Sequence, residues 1–187
     1  MARAGLRRVP RLALLLGGLL LLLALPLRAR AAGPSVDEVK AAYIHKFLGY
    51  IDWPGEPAAG QRYVVGVTGS DQVYAELQHI AALRPVQGRT VDVRRLTRSE
   101  ELADVHLAYI GQGAWRALPQ WVAAASGKPI AIVTDAPKGA DHGAVLTFVR
   151  ADDRVRFEAS LRAARQTGLV LSARLLEVAD RVVEARP

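Results

Sequence analysis

Arg62–Leu83, RYVVGVTGSDQVYAELQHIAAL, decides the fold class. Arg62 to Val67 is a nearly continuous apolar run, as expected of a strand covered on both faces. Gly66-Val67-Thr68-Gly69-Ser70-Asp71 then turns the chain, and Ser70 or Asp71 caps a helix that runs to about Leu83. A buried strand that turns directly into a helix is half of a crossover unit. The unit repeats downstream. Gly88–Val93 reads as a second strand, Thr97–Glu100 as a capping box opening a short helix, and Val105–Ile110 (VHLAYI) as a third strand. Ala114–Ala125 reads as a helix whose first turns are set apart by Pro119, and Pro129–Val133 (PIAIV) as a fourth strand. Alternation of this kind predicts a single α/β domain: a Rossmann-like open sheet, mostly parallel, with helices on both faces.

The ends differ from the middle. Upstream, Ser35-Val36-Asp37-Glu38 is a capping box for a helix reaching about Ile51, with Val36, Val39, Tyr43, Phe47 and Tyr50 on one face. Downstream, Ala144–Arg150 and Arg154–Ala159 flank Ala151-Asp152-Asp153, a spacing that predicts a C-terminal antiparallel hairpin. Helices are expected at Leu161–Gln166 and Ser172–Glu184, separated by Gly168 as a C-cap.

Residues 1–31 read as a cleaved signal peptide. Arg3, Arg7, Arg8 and Arg11 precede a sixteen-residue apolar run, Leu12–Leu27, and Ala29-Arg30-Ala31 has the small-x-small form of a cleavage site. The run is short against the ~20 residues a membrane span needs. Residues 32–187 are then the exported domain, expected in the periplasm. The whole chain has 25 basic and 18 acidic residues, a net charge of +7. Six of the arginines lie within residues 1–31, so the remainder carries 19 basic against 18 acidic residues. The basic balance belongs to the leader, and no nucleic-acid partner is expected. The chain has no cysteine, which excludes disulfides, thiol nucleophiles and thiolate metal ligands.

Three strand ends offer a crevice floor in such a sheet: Thr68–Asp71, Gly111–Gly113 and Thr134-Asp135. The first suits an anion at a helix start. There is no GxGxxG and no P-loop, so no nucleotide cofactor is expected. His45, His79, His106 and His142 are scattered without metal-ligand spacing, so no metal is expected either. Asp141-His142 is the only local acid–imidazole pair, and it lacks a nucleophile elbow. Catalysis is therefore not expected. Lys40 falls inside the apolar arc of the first helix. A lysine there must snorkel, pair with a carboxylate such as Glu158 or Asp37, or meet an anion. Trp53, Trp115 and Trp121 are candidates for satellite core or for a partner surface.

These motifs fall together in one family. VKAAYIHKFLGYIDWP (Val39–Pro54) resembles the opening signature of the YfiR-like periplasmic proteins, a helix that ends in acid-Trp-Pro. YVVGVTGSD, GRTVDVRRL, ADVHLAYIG and PIAIVTDAP resemble the family's four strands, and RVRFEASLRAARQTGLVLSARLLEVADRVV its closing hairpin and helices. The likeness covers about Val36 to Val183. It implies a non-enzymatic repressor that binds the periplasmic domain of an inner-membrane diguanylate cyclase, or of a sensor kinase. It also implies self-association, most simply as a dimer. The family has Asn where this chain has Thr147 and Ser160, and some members use disulfides that this chain cannot form. With these departures, Lys40, Tyr43, Trp53, Ser70, Thr147, Glu158 and Ser160 are the candidate ligand or partner residues. The alternative function is a periplasmic module that binds a small anion and serves a transporter or sensor kinase.

Overall fold

A computed structural model describes residues 33–54 and 62–184; the expected leader lies outside the described residues. In chain order, helix α1 spans Val36–Phe47, and strands β1 and β2 span Ile51–Asp52 and Tyr63–Thr68. Helix α2 is Asp71–Leu83 and β3 is Val91–Arg95. A 3-10 turn (Ser99–Leu102) leads to β4 (Leu107–Ile110), and a second (Gln112–Ala117) leads into α3 (Leu118–Ala125). Then come β5 (Ala131–Thr134), β6 (Leu146–Ala151), β7 (Arg154–Ser160) and α4 (Leu161–Gln166). The described chain closes with β8 (Val170–Leu171), α5 (Ala173–Glu177) and β9 (Arg181–Val183).

The main sheet has seven strands in the order β3-β2-β4-β5-β6-β7-β9. The first five are parallel neighbours, β7 runs antiparallel to β6, and β9 runs parallel to β7. The α/β class, the mostly parallel sheet and the C-terminal hairpin are as the sequence predicts. β4 and β5 are buried at every position, because helices cover both faces. On one face α1, α2, α4 and α5 pack over Val65, Val67, Tyr109 and Phe157. On the other, Leu118, Trp121 and Ala125 of α3 cover Val64, Ala108 and Ile132. The Ser35–Glu38 capping box forms in both directions, and Ser70 Oγ accepts the Val73 N–H at 3.2 Å. Pro119 sits in the first turn of α3, and the 3-10 turn ahead of it holds the part that cannot join the helix.

Four local expectations fail for physical reasons. The helix expected over Ser172–Glu184 stops at Glu177, and the chain ends in β9. The pattern of ARLLEVADRVV suits a helix, but the edge of β7 offers Val182 and Val183 a ladder opposite Ala159 and Ser160. Arg181 adds two hydrogen bonds to Glu158, at 2.9 and 3.0 Å. Helix α1 stops at Phe47, well before Ile51, because Ile51-Asp52 pairs antiparallel with Leu171-Val170 in a separate two-stranded sheet. β3 begins at Val91 because Gln87 and Gly88 take positive φ (50° and 76°) in a tight turn closed by the Val86–Arg89 bridge. Thr97 does not cap a helix. Its N–H and hydroxyl both donate to the Glu101 carboxylate at 2.9 Å.

His106 gives the fold a pH dependence. Its Nδ1 accepts the Val64 N–H at 3.2 Å, and its ring packs edge-on against Trp53 and Tyr63. Desolvation, then the charge of Arg89, hold its pKa below the ordinary value. Protonation must break an acceptor bond, so the unfolded chain binds this proton more readily than the folded one. Stability is therefore fully present above about pH 6.5 and is lost as pH falls toward the depressed folded pKa. Thermal unfolding between pH 8 and pH 5 should show this fall. In His106→Asn, whose amide oxygen can replace Nδ1 as acceptor, the fall should be shallower. An identical slope would assign the titration to another group.

Candidate functional site

The reversal of winding between β2 and β4 is the place where a doubly wound sheet usually opens to a ligand. Here it is shut. Gly69 (φ 74°) lies directly against the turn after β4: the Gly113 N–H donates to Gly69 O at 3.0 Å, and the Gly111 N–H donates to Thr68 O at 2.8 Å. A Cβ on Gly69 would stand 2.6 Å from Ala114 N and from Gly111 O. Two of the three expected strand ends thus seal each other, and the Ser70 hydroxyl is spent as a helix cap.

The opening lies further along, at the third strand end. A crevice of about 360 Å³ is bounded by the N-terminal half of α1, Asp135 after β5, and the β6–β7 hairpin. Lys40 Nζ donates to Asp135 Oδ2 at 2.6 Å and lies 3.6 Å from Asp37 Oδ1. The second carboxylate oxygen of Asp135 is buried without a hydrogen-bond partner, as is the hydroxyl of Tyr109. Burial, and next the Asp135 charge, push the Tyr109 phenol far above its ordinary pKa, so it remains a neutral donor. The deep end of the crevice is thus a paired Lys40–Asp135, with Asp37 as a more exposed second carboxylate outside its lining. The lip carries Arg150, 3.2 Å from Asp153, and Arg154, which has no ion-pair partner among the described residues.

The lip is strained. Asp152 and Asp153 both take positive φ (49° and 57°) in the two-residue turn that joins β6 to β7. That turn favours Asn-Gly. The Asp152→Asn/Asp153→Gly double variant should stabilise the protein by about 1 kcal/mol, since each non-glycine residue there is strained. A rise in the urea midpoint would show it, and an unchanged or lower midpoint would show that the aspartates make compensating contacts.

The candidate residues from the sequence scatter. Lys40 stands in the crevice, with Asp135 as its partner rather than Glu158, whose carboxylate is held by Arg181. Tyr43 packs on Phe47, Phe148 and Phe157 with ring centroids 5.5–6.1 Å apart and borders a second groove. Trp53 is buried in the core, its indole N–H donating to His106 O at 3.3 Å. Thr147 is buried with its hydroxyl unpartnered beneath Gly139. Ser160 caps α4 through the Ala163 N–H at 3.2 Å. His45 is buried and bonded to Arg84 O at 2.8 Å, while His79 and His142 are exposed. Sequence reasoning missed Tyr109 and Arg154 as site residues. Asp135 was visible only as a polar residue at a strand end.

Within the described residues, the arrangement joins an ion pair and a buried phenol to a small crevice at the carboxyl ends of the strands, with no side chain placed as an activated nucleophile. The fold is an α/β domain with a mostly parallel sheet. Residues 37–180 match the YfiR/HmsC-like family, and the chain belongs to it. No curated protein sequence matches the chain. By structure it is similar to a conserved domain protein from Vibrio cholerae O1 biovar El Tor, with a TM-score of 0.54 and 12% identity. That likeness covers 79% of this chain and 60% of the other and carries the fold alone. Among the described residues no helix is long and apolar enough to cross a membrane.

Proposed function

We propose that this protein is a periplasmic regulatory subunit that docks on the extracytoplasmic domain of a membrane-bound diguanylate cyclase and holds it inactive. The observation that carries this reading is the family match over residues 37–180, which spans almost all of the described domain. The crevice beside Lys40 would make the docking conditional. A small ligand that binds the free and docked forms with different affinity shifts the docking equilibrium by that difference and by no more. Without cysteines the chain needs such a ligand, or a competing protein, to release its partner.

The test is titration of the purified protein with the periplasmic domain of a membrane diguanylate cyclase from the same cell, followed by calorimetry at controlled salt. Saturable binding at micromolar affinity or tighter supports the reading. A folded protein that binds no such domain sinks it. The Lys40–Asp135 crevice favours a second reading, a module that binds a small polar ligand for a transporter or sensor kinase. A ligand that co-purifies with the wild-type protein and is lost from Lys40→Met would support that alternative.

A further inference from the structure

Helix α1 carries a wider apolar arc than the sheet covers. Its core face runs through Ala41, Ile44, Phe47 and the following Leu48, all buried to 1% exposure or less. The arc continues around the flank through Val36, Val39, Tyr43 and, past the helix end, Tyr50. Val36 is 46% exposed and Tyr50 38%. Beside this flank α5 ends early, because the chain leaves it to form β9, and Val178 is left 59% exposed. Between α1 and α5 lies a groove of about 500 Å³. Its floor is the core itself: Phe47, Phe157 and Leu175, each 2% exposed or less. Lys46 and Arg174 stand on its rim, both exposed and neither with an ion-pair partner among the described residues. Glu177 is the only acid in the lining.

We propose that this groove docks an amphipathic helix of the partner, with its apolar stripe on Tyr43, Tyr50 and Val178 and its carboxylates facing Lys46 and Arg174. The inference rests on the reading that the chain acts by docking, and it names the surface and the chemistry of what docks. Two helical walls over a strand present side chains rather than open backbone, which suits a helix and not an added strand. Two free cations beside an apolar floor select acidic flanks on the occupant. A second copy of this chain fits that description less well. α3 and α4 contain no acid, and the acids of α1 and α2 are engaged within the chain: Asp37 beside Lys40, Glu38 in the capping box, Asp71 with Arg95 and Glu76 with Gln72.

The direct test uses an eighteen-residue helical peptide with leucines at i, i+3, i+4 and i+7 and glutamates elsewhere. A version with lysine in place of glutamate is the control. The glutamate peptide is expected to bind, to shift the NMR signals of Val178 and Tyr50, and to bind at least tenfold more weakly to Lys46→Glu/Arg174→Glu. The lysine peptide should prefer that double variant. The proposal is overturned if both peptides bind alike, if neither binds, or if the shifts map elsewhere. It is also overturned if the wild-type protein is a dimer that the double variant dissolves, since a second copy would then fill the groove. The cyclase titration remains separate. A cyclase domain that binds wild type and double variant equally overturns the groove and leaves the repressor reading standing. Peptide binding as expected supports the groove even where no cyclase domain binds.

Discussion

Gly69→Ala is expected to destabilise the protein by about 3 kcal/mol, read as a fall in urea-unfolding free energy at unchanged m-value. Two costs combine. At φ 74° an alanine is strained, and its Cβ would stand 2.6 Å from backbone atoms of the facing turn. Backbone cannot move aside as a flexible side chain can. Gly88→Ala separates the two terms. Gly88 has φ 76° but nothing within 4 Å of an added Cβ, so it should lose only the strain, about 1 kcal/mol. Equal losses at the two positions would show that the turns after β2 and β4 part easily. The switch point would then be a closed gate that a ligand could open. Unequal losses would show a weld, leaving the crevice at Lys40 as the ligand entrance at this edge of the sheet.

That weld also shows where the sequence stopped being legible. Strand-then-helix alternation was plain because β2, β4 and β5 are buried on both faces and so read as unbroken apolar runs. The helix start at Ser35 was plain because a capping box is local chemistry. The short pieces were hidden. β1 and β8 have two residues each and β9 has three. Their identity comes from a partner far along the chain and not from any period of their own. The end of α1 went the same way, since its apolar pattern continues through Ile51 while the backbone turns at Leu48. The site was half legible. Lys40 stood out as a charge inside an apolar arc, and Asp135 as a polar strand end. Their pairing spans 95 residues of chain and depends on α1 crossing the carboxyl end of β5. Glu158 was the plausible wrong partner because the strand that would occupy it, β9, read as helix.

Lys40→Met should cost about 3 kcal/mol, since it leaves a mostly buried carboxylate without its counter-charge. The side chains of Lys40 and Asp135 are only 14% and 13% exposed, so water cannot fully take over. Asp135→Asn in the Lys40→Met background should recover at least half of the loss, because the uncompensated charge is then gone. Tyr109 makes the prediction sharper. Its hydroxyl and the free oxygen of Asp135 are both buried without a well-formed hydrogen bond, yet the phenol faces the Asp135 carboxylate closely enough to feel its charge and its hydrogen-bonding pull. While Lys40 holds Asp135, the hydroxyl contributes little, and Tyr109→Phe alone should change stability by less than about 1 kcal/mol. Once Lys40 is gone, the phenol is the remaining buried donor able to turn to the carboxylate, and Tyr109→Phe should then cost clearly more. A coupling of about 1 kcal/mol or greater between positions 40 and 109 would mean that Asp135 has two alternative partners, one at the crevice and one in the core. A ligand that drew Lys40 away would then move the carboxylate toward Tyr109. Tyr109 packs edge-on against Phe148, which in turn meets Tyr43 and Phe47. Those rings also border the groove beside α5, so the crevice and the groove share one aromatic wall. Additive losses at 40 and 109 would leave that wall as packing alone, and the crevice would have no route through Asp135 to the docking face.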